Sequence, residues 1–453
     1  MTARWGRSRL RAAARAILRE SLAAADPYRL VRRQLKARAG TLELAGVRHR
    51  LGRGRIVVVA VGKAAVPMAL AAEDALGGLL AGGLAVTTAT EAPLRRVRLL
   101  TARHPVPDSR GLAAAVEVEG LARSLGRDDL LLVLLSGGAS ALLPSPAEGV
   151  TLEDKARTTA LLLRAGATIQ ELNAVRKHLS RLKGGGLARA ASPARVVTLV
   201  LSDVVGDDLS TIASGPTVPD PTTFSEALDV LRRRGALDEA PVAVRARLLA
   251  GASGELPETP KPGAPAFRRV TNRIVGGNRT SIDAGAREAR RQGMRPVVLT
   301  TRLVGEAREV APALVAVLRE CVDSGRPAAP PVCLLAGGET TVTVRGEGQG
   351  GRNQEAAVSA AQALDGFPVP AVVACLATDG IDGASDAAGG VVDDVTLARA
   401  RALGLAPPSA FLAASDTRNY LGPLGDLILT GPTGTNVADV IVLLAGSPSG
   451  RRL

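Results

Sequence analysis

Six loops of this sequence combine glycine with small hydroxyls and isolated charges directly after a short aliphatic run. They are Gly62-Lys63-Ala64-Ala65, Ser136-Gly137-Gly138-Ala139-Ser140, Ser202–Asp208, Gly337-Gly338-Glu339-Thr340, Thr378–Gly383 and Gly431–Asn436. Backbone N–H groups without flanking side chains can face an anion, and a helix starting just behind adds its dipole. The loop holding Ser136, Gly137, Gly138 and Ser140 has that character. Lys183, beside Gly184-Gly185-Gly186, offers another anion contact. The segment Gly346–Asn353 ends in Arg352 and Asn353 and leads into a helical pattern. It reads as a phosphate or carboxylate cradle completed by Arg352. Its glycines formally satisfy GxGxxG, but the strand before it is polar and no acidic residue follows at dinucleotide spacing.

Charge placement narrows the chemistry to anionic substrates. Lysine occurs only at Lys36, Lys63, Lys155, Lys177, Lys183 and Lys261. One that leaves the first buried strand is therefore expected to neutralise a carboxylate or a transferring phosphoryl group, although a lysine snorkelling from a first helical turn would look the same. Paired carboxylates, Asp203 with Asp207 and Asp379 with Asp382, flank Gly206 and Gly380 beyond strands, as Mg²⁺ binding would need. Asp203 and Asp379 suit equally well the acceptance of a hydroxyl proton. Asn173, Arg176, Lys177 and Ser180 recur on one polar helix side, an anion contact or a solvated basic face.

Other chemistries lack their residues. Gly62-Lys63 is followed by Ala64, so there is no Walker A motif. His49, His104 and His178 have no serine elbow or metal-ligand spacing around them. Cys321, Cys333 and Cys375 match no zinc site; Cys333 and Cys375 read as core filler, and a reducing, cytoplasmic setting suits them.

The elements that must carry these loops alternate. Strands are predicted at Ile56–Val61, Leu84–Thr87, Leu130–Leu135, Val196–Leu201, Val297–Thr300, Val332–Ala336, Val342–Val344, Ala371–Ala377, Leu427–Thr430 and Val440–Leu444. Helices are predicted at Val66–Leu76, Gly111–Leu125, Leu152–Arg164, Gln170–Ala190, Ser281–Gln292, Glu306–Asp323 and Gln354–Leu364. The strands are continuous apolar runs, the pattern of parallel strands buried on both faces, so the fold class is α/β, doubly wound. Gly251–Pro265, with four prolines, reads as a loop or linker between an N-terminal domain, 1–250, and a C-terminal one, 266–453.

The 453 residues carry 57 Lys+Arg and 43 Asp+Glu, net +14, with 46% hydrophobic and 2% aromatic residues. The excess is scattered arginine without aromatics to stack bases, which argues against nucleic acid. No apolar run reaches the roughly 20 residues of a membrane span. Met1–Arg19 is acid-free, Arg-rich and amphipathic like a transit peptide, but the pattern continues to Leu30 without a break and reads as a first helix.

The loops together resemble the glycerate 2-kinases whose C-terminal part is the MOFRL domain. The segments are Val61–Ala65, His104–Asp108, Leu134–Leu143, Gly166–Ala188, Val200–Phe224, Leu334–Glu355, Ala377–Gly390 and Leu429–Val440, in order along nearly the whole chain. The resemblance implies ATP-dependent phosphorylation of D-glycerate to 2-phosphoglycerate with Mg²⁺. It implies a Rossmann-like N-terminal domain, a smaller α/β MOFRL domain at about 330–445, and an active site in the interdomain cleft, in a monomer or homodimer. The family's cleft lysine and arginine fall on Lys63 and Arg352. Ser136–Ser140, Lys183, Asp203, Glu339, Asn353 and Asp379 match motif positions. Ala414–Tyr420 departs from the family pattern, with Ser415 where an Asn is usual. Some members carry the name hydroxypyruvate reductase, which is the alternative activity, along with kinase action on another small hydroxy acid.

Overall fold

The computed structural model describes residues 5–38, 41–50 and 53–447. They form two compact units, Pro27–Val275 and Met1–Asp26 with Gly276–Leu453. The first unit holds a small antiparallel sheet of β1 (Leu35–Arg38), β2 (Thr41–Leu44) and β3 (Val47–Arg50). Its main sheet contains β4 (Ile56–Val61), β5 (Leu80–Thr87), β6 (Val97–Thr101), β7 (Leu130–Leu135), β8 (Arg195–Leu201) and β9 (Val270–Gly276) in the order β6-β5-β4-β7-β8-β9. Pairings from β6 through β8 are parallel. β4 and β7 are buried at every residue, which is why they read as unbroken aliphatic runs. Val57, Val59 and Val61 pack with Ala114, Ala115 and Val118 of the helix Ser109–Arg123. The chain steps outward from β4 to β5 and β6, then returns to the other side of β4 with β7. This reversal between β4 and β7 is the switch point where open α/β sheets bind ligands.

The second unit is built differently. β10 (Arg295–Leu303), β11 (Val332–Gly338), β12 (Ala371–Ala377), β13 (Gly389–Asp393), β14 (Leu427–Ile428) and β15 (Asp439–Ala445) lie in the order β10-β11-β15-β12-β13-β14. Only β10 and β11 run parallel; the other neighbours are antiparallel. The parallel arrangement expected from apolar continuity therefore holds in the first unit and fails here. β15 is buried at every residue because helices cover both faces, and burial is all the continuity reports. Leu334 and Leu443 face Leu314, Leu318 and Val358. Cys333, Leu335 and Val442 face Leu10, Ile17 and Ile282. Leu10 and Ile17 belong to the helix Arg7–Ala24, so the amphipathic N-terminal stretch is a core element of this unit; its residues 1–4 lie outside the described residues. All three cysteines are buried and free, as core filler should be.

Three further elements depart from expectation. The Pro-rich stretch Gly251–Pro265 falls within the first unit, and the division lies at Val275–Gly276. Pro260 accepts from the Asp220 N–H, and Glu258 accepts from the Phe224 N–H, so the stretch is tied down rather than spanning between units. The predicted helix Gln170–Ala190 is two, Ile169–His178 and Gly186–Ala191, because Gly184 and Gly185 take φ of 53° and 80°, outside the right-handed helix. Val342–Val344 forms no strand: the Thr343 N–H and hydroxyl donate to the Glu306 carboxylate instead.

Candidate active site

In the first unit the chain turns sharply after β4. Gly62 has φ 130°, and a Cβ there would overlap Ser136 Oγ and the Ser136 carbonyl, so only glycine fits. The Lys63 N–H donates to the Gly137 carbonyl at 2.8 Å, and the Ala64 N–H to Ser136 Oγ at 3.0 Å. These bonds lock the loops after β4 and β7 together at the switch point. Ser136 is 2% exposed, and its hydroxyl serves as an internal tie between the two loops. Gly138 has φ 86° and lies against the His104 ring and the Lys63 side-chain stem. His104 therefore stands beside Lys63; burial, then the Lys63 charge, push its pKa down. Sequence spacing gives His104 no role, and only the fold brings it here.

Next to Gly138 and Ser140 lies a cavity of about 740 Å³. Lys155, Arg176 and Lys183 line it, and no Asp or Glu does. Lys183 Nζ donates to the Ser140 carbonyl at 3.1 Å. Ser140 Oγ is 3.1 Å from Ser214 Oγ, which donates to Asn173 Oδ1 at 3.0 Å. Lys155 is 8% exposed, and its Nζ has no hydrogen-bond partner among the described residues. Burial, then the charges of Arg176 and Arg181, push the Lys155 ammonium down to about 7. Burial, then Lys155 and Arg176, hold Lys183 well below the usual lysine range. Lys183 thus sits where an anion contact was expected. Lys155 is an addition whose one sequence signal was the scarcity of lysine. The basic helix separates in use: Arg176 faces the cavity, whereas Lys177 is buried against Asp220 at 3.3 Å and His178 Nε2 is 3.1 Å from Glu258. Neither of these two is solvated or open to a ligand. Asp203 is half-buried just past β8, and Asp207, also half-buried, takes φ 58° in the loop beyond it.

In the second unit β11 and β12 end on either side of the start of β15, with Asp439 in register with Gly338 and with Ala377. Arg352 Nε donates to Asp439 Oδ2 at 2.6 Å and Nη2 to Oδ1 at 3.0 Å; Nη1 is 3.3 Å from Glu339 Oε1. Burial opposes the guanidinium charge, but the Asp439 carboxylate outweighs it and holds Arg352 above the ordinary arginine range. Asn353 Nδ2 donates to Asp439 at 3.0 Å and to Asp382 at 3.2 Å. Four of the expected residues, Arg352, Glu339, Asn353 and Asp382, thus form one network through Asp439. An acidic residue opening an apolar strand was its signal in the sequence. Gly337 is close-packed on Asn278, whose Nδ2 holds the Val437 and Asp439 carbonyls, so Gly337 and Gly338 shape the strand end.

The cradle expected at Gly346–Asn353 is filled by the protein itself. Asp382 Oδ1 accepts from the Asn353 N–H and Oδ2 from the Gln354 N–H, at 3.0 and 2.9 Å, capping the helix Arg352–Ala363. Gln354 Nε2 adds a bond to Oδ2 at 3.0 Å. Gly348 and Gln349 donate their N–H groups to Ala414 and Asp416, and side chains at Gly346 or Gly348 would clash there. The glycines serve this backbone-to-backbone packing. Both oxygens of Asp382 are occupied, which removes it as a metal ligand. Asp379, half-buried beyond β12, accepts from the Ile381 N–H at 3.2 Å. Among the described residues no group of three or more His, Cys, Asp or Glu is arranged to hold a metal ion.

A Rossmann-type strand order with lysine at the switch point, and a second α/β unit with a carboxylate-clamped arginine at a strand edge, are features of an α/β protein suited to binding small anions. The DUF4147 family, a domain of unknown function, matches residues 13–249, and the MOFRL family matches residues 332–439. A glycerate 2-kinase of Pyrococcus horikoshii is 41% identical over 95% of this chain and 96% of its own. A relative from Agrobacterium vitis, named as a candidate hydroxypyruvate reductase, is 44% identical over 87% of this chain and 88% of its own. The crystal structure of a glycerate kinase from Thermotoga maritima, 40% identical, covers 97% of this chain and 100% of that one with a TM-score of 0.86. The chain belongs to the glycerate kinase family assembled from these two domains. Among the described residues no helix is long and apolar enough to cross a membrane.

Proposed function

We propose that this chain is an ATP-dependent D-glycerate 2-kinase, a cytoplasmic enzyme with small-molecule partners, working as a monomer or homodimer. The observation that carries the reading is Lys63 at the strand-order reversal, where ligands of such sheets bind, in a chain whose relatives are glycerate kinases. The bond formed joins the C2 oxygen of glycerate to the γ-phosphorus. The bond broken is that between the γ-phosphorus and the oxygen bridging to the β-phosphate, which leaves with ADP. The C2 hydroxyl proton passes to a base, for which Asp203 or Asp379 stands at a strand end.

Little covalent chemistry falls to the protein, so positioning and charge neutralisation dominate. Lys63 and Arg352 are assigned to the substrate carboxylate and the γ-phosphoryl. Asp439 keeps the Arg352 fork charged and in one orientation. Gly138, Ser140 and Lys183 are assigned to the nucleotide. Magnesium, when bound with the nucleotide, would neutralise phosphate charge. It draws most ligands from phosphates and water and needs only one or two carboxylates, which fits Asp203 or Asp379.

The reductase reading is favoured by the name of the Agrobacterium relative. A dinucleotide would sit on the N–H groups of the first strand-to-helix turn. Here the Lys63 and Ala64 N–H groups bond to Gly137 and Ser136, which weighs against it. Measuring ADP release with D-glycerate, beside NAD(P)H absorbance with hydroxypyruvate, separates the two. Lys63→Ala should lower kcat by about 10²–10³-fold with the fold intact, and Arg352→Ala by as much, in a second unit weakened because Asp439 is left buried without its partner. Near-normal turnover in either variant contradicts its assignment.

A further inference from the structure

The 740 Å³ cavity beside Ser140 has two unlike parts. Its floor carries Lys155, Arg176 and Lys183, two of them under 9% exposed, with no carboxylate among the lining residues. Its exposed lining is largely apolar: Val106 and Leu163 are 63% and 58% exposed, and Pro107 and Leu152 line it too, with Arg157 the exposed cation among them. Buried cations without counter-charge cost stability, so a fold that keeps three together has a use for their field. Glycerate is too small for this volume and has no apolar body. A ligand that satisfies both parts has several negative charges at one end and a flat, weakly polar ring at the other.

We infer that this cavity is the binding site of the nucleoside triphosphate, with its phosphates on Lys155, Arg176 and Lys183 and its base against Val106 and Leu163. The inference rests on the kinase reading, since it names where that reaction's donor binds. Lys155 contributes a charge-assisted bond from a position that no motif marks. Its unpartnered ammonium, the feature with no other explanation in the fold, becomes a phosphate contact. Replacing it with an apolar side chain of similar length removes a buried amine that has no hydrogen-bond partner among the described residues, so the ligand-free protein should become more stable while losing its ligand.

The test is equilibrium binding of ATP, and separately of tripolyphosphate and adenosine, to the full chain, with melting temperatures alongside. Lys155→Met and Arg176→Met should weaken ATP binding by about 10–100-fold each. Lys155→Arg should retain most of it, and ligand-free Lys155→Met should melt about 2–4 °C higher. Leu163→Ser should weaken ATP several-fold and leave tripolyphosphate unchanged. ATP affinity unaltered in both methionine variants overturns the site. Tripolyphosphate binding as tightly as ATP, with Leu163→Ser without effect, overturns the nucleotide in favour of a plain polyanion. If the methionine variants fail to fold, loss of ATP-induced stabilisation in Lys183→Met decides instead, and its retention counts against the site. Wild-type turnover separates the two claims. No ADP release with D-glycerate sinks the kinase reading, whereas ATP binding lost in Lys155→Met still upholds the site.

Discussion

The two units treat cations in opposite ways. In the second, Arg352 is saturated: Asp439 takes two of its nitrogens, Glu339 stands at the third, and Asn353 and Asp382 tie the clamp to a helix start. In the first, Lys155, Arg176 and Lys183 share a cavity that no carboxylate lines. A clamped cation is oriented and held charged at the cost of its own reach. Cations without counter-charge hold their field for whatever enters. A phosphoryl transfer needs both, a fixed charge where the transition state forms and an unsatisfied one where the polyanion binds.

The largest expected effect comes from breaking the clamp. Asp439→Asn leaves Arg352 with Glu339 as its one carboxylate partner and should destabilise the second unit by about 2–3 kcal/mol, read by urea denaturation. Replacing both partners, Arg352→Met with Asp439→Leu, should recover most of that stability and none of the activity. If the single and double variants are equally stable, the clamp is not what holds this edge.

A pH effect of intermediate size distinguishes the other region. Free Lys155 is pushed down to about 7, facing Arg176, Arg181 and Lys183, with Arg157 on its own helix; His104, pushed below its usual range by burial and Lys63, titrates lower. The unfolded lysine titrates near ~10.4. Between these values the unfolded chain binds a proton that the folded chain does not, so the ligand-free fold gains stability as pH rises through this window. Polyphosphate binding reverses the shift. ATP titrations in buffers of different ionisation enthalpy should therefore reveal proton uptake at pH 8 and little at pH 6. Equal proton uptake at both values would contradict a neutral Lys155 in the ligand-free protein.

How far these differences could be read in advance follows from their range along the chain. β4, β7 and β12 were legible to the residue, because burial on both faces leaves an unbroken aliphatic run. β3 and β6 carry arginines on exposed positions, and β13 opens on two glycines; such strands look like loops until a neighbour is known. Lys63 and Arg352 stand at element ends, where local pattern finds them. His104 and Asp439 acquire their roles from contacts 34 and 87 residues away, which no local pattern encodes. The glycine loop at Gly346–Gly351 misleads for a related reason: glycine marks close approach, and here the partner is Ala414–Asp416, not an anion.

The smallest effect belongs to that turn. Ser415 has φ 52°, a region asparagine tolerates better, and its hydroxyl accepts from the Arg345 N–H at 3.2 Å. Ser415→Asn should raise stability by about 0.5 kcal/mol, or 1–2 °C in melting temperature, with kcat unchanged. A loss of stability would show that the hydroxyl bond outweighs the backbone strain.

Glycerate phosphorylation at C2 is tested most directly by phosphorus NMR of the products formed from ATP and D-glycerate. A phosphate ester at C2 couples to one carbon-bound proton and gives a doublet, accompanied by one equivalent of ADP, and this is the predicted result. A triplet, from an ester at C3 with its two protons, or ADP release with no new ester, would contradict it.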